Sequence, residues 1–179
     1  MATLLDQPRP VREGEELNKE ALQNWLSETV PNQGAITDIH QFPSGFSNLT
    51  YLIKCESRQM ILRRPPKGSK VKSAHDMQRE FRILSALNPV YSAAPKPLAY
   101  CDDASIVGAP FYVMERIEGV ILRGKKPKDF AGTPELALTL CERFVDNLAH
   151  LHAVDYGAIG LADLRREGSF TRRQVEGWI

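Results

Sequence analysis

The sequence predicts an α+β fold: a five-stranded antiparallel sheet with one packed helix, preceded by a helical extension and followed by the first helix of a second, helical part. Three observations lead there. Residues 36–42, 49–55 and 59–64 are short runs with β-branched or aromatic alternation and turn residues between them. Across residues 73–87 the apolar period changes to that of a helix. Two further strand-like runs, "PLAYC" and "PFYVMERI", follow it.

Each element has its own signal. Residues 1–16 are polar and proline-bearing and read as a flexible leader. Leu17, Ala21, Leu22, Trp25, Leu26 and Thr29 then recur at helical spacing, with Asn18 placed to cap the helix and Pro31 to end it. The first three strands read as a meander. In the next helix Met77, Phe81, Leu84 and Leu87 trace one stripe, which Asn88-Pro89 terminates. The turn-rich "DDASIVGA" joins the last two strands, and "VILR" after Gly119 is one more candidate strand. Leu136, Leu140, Phe144, Leu148 and Leu151 make a long helix over residues 134–152. The expected division is a leader to residue 16, a lobe with its helical extension over 17–118, and a hinge with the start of another lobe over 119–179. No internal repeat or low-complexity tract is present.

Composition restricts the function classes. A chain of 179 residues with 42% hydrophobic content can build one core, or one lobe and the beginning of another. Lys plus Arg (23) and Asp plus Glu (22) nearly cancel, so no global field draws the chain to nucleic acid or an anionic membrane. "RRPPKGSKVK" is basic but carries no interleaved aromatics and reads as a solvated connection. Cys55, Cys101 and Cys141 lie far apart in apolar runs and read as reduced core thiols. No run approaches the roughly 18 apolar residues of a membrane span. A cytoplasmic location is expected, with an organelle matrix left open.

The chemistry concentrates on two residues. Glu80 lies three residues after Met77 and four before Leu84, on the flank of the apolar stripe, where a carboxylate needs a cation. The strand "MILRR" supplies one: because side chains alternate, Arg63 and Arg64 point to opposite faces, one inward and its neighbour toward water. Beside them the hairpin tip "PSGFSN" combines Gly45, which allows close backbone approach, with Phe46 and the small polar Ser47 and Asn48. Loop amides and a strand arginine held by Glu80 form an arrangement suited to nucleotide phosphates. The plainer alternatives are a structural ion pair and an ordinary hairpin turn. His150 and His152 are about 200° apart on their helix and cannot chelate together. Asp102 and Asp103 read as turn residues. Ser44 and Ser47 have no neighbouring histidine to activate them.

The ordered motifs "SGFSNLTYLI", "MILRRPPKG", "AHDMQREFRILSAL", "APKPLAYCDD", "GAPFYVMERIEG" and "LAHLHAVD" resemble the amino-terminal lobe of the aminoglycoside phosphotransferase family. The likeness is to the branch similar to the phosphotransferase domain fused to acyl-CoA dehydrogenases, and it covers residues 20–179. It implies a protein-kinase-like fold and an ATP- and Mg2+-dependent phosphotransferase acting on a small-molecule hydroxyl, with no nucleic-acid partner. By this resemblance Arg63 matches the strand cation for ATP phosphates, usually a lysine, and Glu80 its helix partner; the change from lysine to arginine leaves open whether Arg63 or Arg64 contacts the nucleotide. Met114 would sit at the back of the adenine pocket, and backbone groups of Glu115 and Ile117 would bind the base. The family's His-Gly-Asp loop, following asparagine and later metal-binding aspartate have no counterpart in these residues. Together with the uncovered stripe of residues 136–151 and the helix-like ending "FTRRQVEGWI", this makes a truncated chain the expectation, with catalytic aspartate and metal ligands past Ile179. A non-catalytic nucleotide-binding or regulatory module is the alternative. Hydroxylated acyl-coenzyme A compounds are a substrate class that the fused relatives suggest.

Overall fold

The computed structural model describes residues 7–43, 48–66, 76–121, 132–165 and 168–178. Helix α1 (Lys19–Thr29) starts where Asn18 Oδ1 accepts the Ala21 amide at 3.1 Å, the expected cap. Strands β1 (Ile36–Gln41), β2 (Leu49–Cys55), β3 (Gln59–Arg64), β4 (Pro97–Cys101) and β5 (Phe111–Glu115) form a five-stranded antiparallel sheet in the order β1-β2-β3-β5-β4. The chain thus leaves β3, makes helix α2 (Met77–Leu87), and returns with β4 at the far edge before β5 fills the place beside β3.

The pleat sorts side chains onto two faces. Tyr51 and Ile53 of β2, Met60 and Leu62 of β3, and Phe111 and Val113 of β5 meet Leu22, Leu26 and Val30 in one buried core. Each such side chain contributes roughly 1.5–3 kcal/mol by leaving water. Trp25 meets the Phe111 ring edge-on at 4.7 Å, which fixes α1 across the sheet. The other face presents Thr50, Arg63 and Tyr112 in one cross-strand row and Leu52, Ile61 and Met114 in the next. Helix α2 packs on this side, with Phe81 5.8 Å from the Tyr100 ring and 6.2 Å from that of Tyr112. Asp76 caps α2 by accepting the Arg79 amide at 2.9 Å, and residues 73–75 of the expected helix lie outside the described ones.

Several local readings change. The "DDASIVGA" connection holds a one-turn helix, α3 (Ala104–Val107), because Asp103 Oδ1 caps it through the Ser105 amide at 2.8 Å and Gly108, at φ +85°, closes it in the left-handed region. Those Ser105 hydrogen bonds hold the Asp103 carboxyl below its usual range. Val120 and Ile121 belong to no strand, and the rest of "VILR" lies outside the described residues. Residues 7–16 are tied to the sheet: Arg9 and Gln41 exchange two backbone hydrogen bonds of 2.8 Å, the Gln41 side chain donates to Glu15 Oε2 at 2.5 Å, and the Tyr51 hydroxyl donates to the Glu15 carbonyl at 2.8 Å. Cys55 and Cys101 are buried free thiols, and burial pushes both pKa values up. Cys141 is exposed, contrary to the core reading, because helix α4 (Pro134–Ala153) has no buried residue. Its apolar stripe, including Leu140, Phe144 and Leu148, is exposed among the described residues. A short helix α5 (Phe170–Glu176) follows, and no described helix is long and apolar enough to cross a membrane.

Candidate functional site

The alternation of β3 separates the two arginines. Arg64 follows Met60 and Leu62 onto the α1 face, where it is 0% exposed. Its Nε donates to the Pro65 carbonyl at 3.2 Å and its Nη1 to the Val107 carbonyl, the C-terminal end of α3, where a cation is favoured. Among the described residues Nη2 has no hydrogen-bond partner. Arg63 turns to the opposite face and keeps 30% side-chain exposure. Sequence parity correctly parts the pair, but the neighbour of Arg63 faces protein rather than water.

Arg63 Nε donates to Glu80 Oε2 at 3.2 Å. Asn48 Nδ2 donates to Glu80 Oε1 at 2.8 Å, and the Tyr112 hydroxyl donates to Oε2 at 3.0 Å. Donors from the entrance to β2, from β3 and from β5 therefore converge on one carboxylate of α2. This arrangement satisfies a half-buried charge that would otherwise be costly. Because Arg63 engages Glu80 through Nε, its terminal amines are left for a different acceptor.

Tyr112 was not among the sequence candidates. Its signal was available: it lies two residues before Met114 and so shares that residue's face, directly across from Arg63 in the β3–β5 register. Burial, reinforced by the adjacent Glu80 carboxylate against the opposing pull of Arg63, drives the Tyr112 pKa upward and keeps it a neutral donor. Tyr51 is pushed from 10.0 to about 12, chiefly by burial. For both, the folded state retains a proton that the unfolded chain releases near pH 10, so their contribution is intact below that pH. Stability is expected to fall steeply as pH rises from about 10 toward 12. Urea midpoints measured across that window test this, and a flat profile would contradict the burial of both phenols.

On this same face lies a cleft of about 420 Å3. Thr50, Ile61 and Arg63 line it from the sheet, and residues 114–121 line it along the chain leaving β5. Its walls are mostly apolar, with the Arg63 cation at one side. Met114, Glu115 and Ile117 all border it. Glu115 is also tied to the opposite rim: its amide donates to the Lys96 carbonyl at 2.9 Å and its Oε1 accepts the Lys96 amide at 2.7 Å. Asn48 holds Glu80 and is itself buried. Gly45, Phe46 and Ser47 lie outside the described residues. Among the described residues no three His, Cys, Asp or Glu side chains converge as a metal site.

Residues 38–179 match the family model described as the phosphotransferase enzyme family. The chain belongs to that family. It is 34% identical over 171 residues to mouse acyl-CoA dehydrogenase family member 10, covering 95% of itself and 16% of that protein. With rat acyl-CoA dehydrogenase family member 11 it shares 35% identity over 165 residues, covering 88% of itself and 20% of the relative. It therefore spans about a fifth of the length of these curated relatives, whose names agree with the branch expected from the motifs. A crystal structure from Ralstonia eutropha, described as an aminoglycoside phosphotransferase, superposes with a TM-score of 0.72 at 29% identity, covering 91% of this chain and 46% of that one. The fold is thus the kinase-like α+β fold of the aminoglycoside phosphotransferases, as the ordered motifs predicted.

Proposed function

We propose that this chain is the nucleotide-holding part of an ATP-dependent phosphotransferase whose acceptor is a hydroxyl on a small molecule. The observation that carries the reading is Arg63, held through Nε by a Glu80 carboxylate with two further donors, at the wall of an apolar cleft. The cleft fits the group: Ile61 and Met114 offer apolar surface to a base, and the Arg63 terminal amines offer charge to phosphate oxygens. The Glu115 amide is already bonded to Lys96, so the Glu115 carbonyl and the Ile117 amide are the backbone groups assigned to the adenine edge. Gly45, Phe46, Ser47 and Asn48 complete the assigned nucleotide contacts, Asn48 through Glu80.

ATP supplies the transferable phosphoryl group. The residues described here bind and orient it, and most catalysis in such reactions is positioning and charge stabilisation. An arginine at this position provides what a lysine does not, one nitrogen for the carboxylate and a separate planar pair for phosphate. The described residues offer no magnesium cluster, so no step is assigned to the metal in this lobe.

Calorimetric titration with ATP tests the reading. Saturable binding competed by ADP is expected, and no heat at millimolar nucleotide would overturn it. Phosphorus NMR of the protein with ATP and hydroxylated acceptors, including hydroxyacyl-coenzyme A compounds, separates a transferase from a non-catalytic nucleotide-binding module: the former forms a phosphate ester and the latter does not.

A further inference from the structure

Helix α2 is gripped from two sides. Glu80 faces the sheet, and Arg82, two residues on and about 200° around the helix, faces away from it. Arg82 Nη1 donates to Asp163 Oδ2 at 2.6 Å, and Nη2 donates to Asp163 Oδ1 at 2.5 Å and to the Gly160 carbonyl at 2.7 Å. This bidentate fork joins residues 81 positions apart, across β4, β5, the cleft-lining residues and α4. A second contact lies beside it. Leu161 is buried, and Ile83 of α2 shares a small apolar recess with Tyr156, Leu161 and Leu164.

We propose that Arg82 and Asp163 are a positioning pair, a latch from the segment after α4 that fixes the rotation of α2 and thereby presents Glu80 to Arg63. The inference rests on the nucleotide reading above. A helix held only on its Glu80 side could roll about its own axis, with the Phe81 ring against those of Tyr100 and Tyr112 as its pivot on the sheet. The fork on the opposite side opposes that roll, and its planar two-point geometry resists rotation where a single point charge would not. Neither side chain is buried, at 45% and 61% exposure, so the pair sets geometry more than stability. The Asp163 carboxyl is held below its usual range by the Arg82 hydrogen bonds, which keeps the latch charged further into acid.

The test uses the whole chain with Arg82→Ala, Asp163→Ala and the double variant, with ATP as the probe. Two quantities are read: amide hydrogen exchange across residues 77–87 without nucleotide, and ATP affinity by titration. Each single change is expected to speed exchange in α2 and to weaken ATP binding about three- to tenfold, the scale of one well-formed charged pair, with the melting temperature nearly unchanged. The double variant is expected to be no worse than the worse single, because both changes remove the same interaction. Unchanged exchange, unchanged affinity, or losses that add in the double variant each overturn the latch. A wild-type chain that binds no ATP fails the nucleotide reading instead, and the exchange rates of α2 then still decide whether the latch exists.

Discussion

Arg63→Ala is expected to weaken ATP binding about 10- to 100-fold, the equivalent of losing one charged hydrogen-bond donor pair to phosphate. The fold should tolerate the change. Glu80 keeps Asn48 and Tyr112 as donors, and an ion pair at 30% and 31% exposure adds little to stability. Arg63→Lys separates charge from shape. A lysine retains a cation near the cleft, yet one ammonium must serve both the carboxylate and the phosphates, so an intermediate affinity is expected. Titrations of the three proteins side by side decide the matter. Equal affinity in wild type and Arg63→Ala would remove Arg63 from the site.

The adjacent arginine should behave in the opposite way. Arg64→Ala is expected to cost roughly 2–4 kcal/mol of folding stability, since it leaves a cavity between sheet and α3 and strips the Val107 carbonyl of its donor. Arg64→Met keeps most of the volume and removes a buried charge whose Nη2 has no partner among the described residues, so its cost should be much smaller. ATP affinity of the folded protein should be near wild type in both, because Arg64 lies on the face turned away from the cleft. Urea denaturation measures the stability difference, and a wild-type midpoint for Arg64→Ala would show that this guanidinium contributes nothing to α3 packing.

That contrast marks what was legible in the sequence. Period-two alternation in "MILRR" parts the arginines reliably, because it follows from strand geometry alone. It cannot say what covers each face: alternation leaves one arginine of the pair for water, whereas α3, which reads as a turn, covers Arg64. The helix depends on Asp103 as a cap and Gly108 as a closure, a local signal hidden inside a connection of only a few residues. Glu80 was legible because a carboxylate on an apolar flank demands a partner. Its third donor, Tyr112, depends on the register between β3 and β5, which α2 and β4 separate in the chain. The Arg82 partner lies farther away still, and nothing in "REFRIL" distinguishes an arginine that binds Asp163 from one in solvent. The exposure of Cys141 likewise depends on tertiary surroundings that an amphipathic stripe does not specify.

The hydrogen bonds between residues 7–16 and the sheet also bear on how the chain is made. Arg12 donates its amide to Gln41, 29 positions later, and the Tyr51 hydroxyl reaches the Glu15 carbonyl, 36 positions earlier. During synthesis residues 7–16 leave the ribosome before β1 and β2 and have no partner until that hairpin has emerged behind them. These residues are thus made before the strands they join but find their place after them, closing over the outer edge of β1.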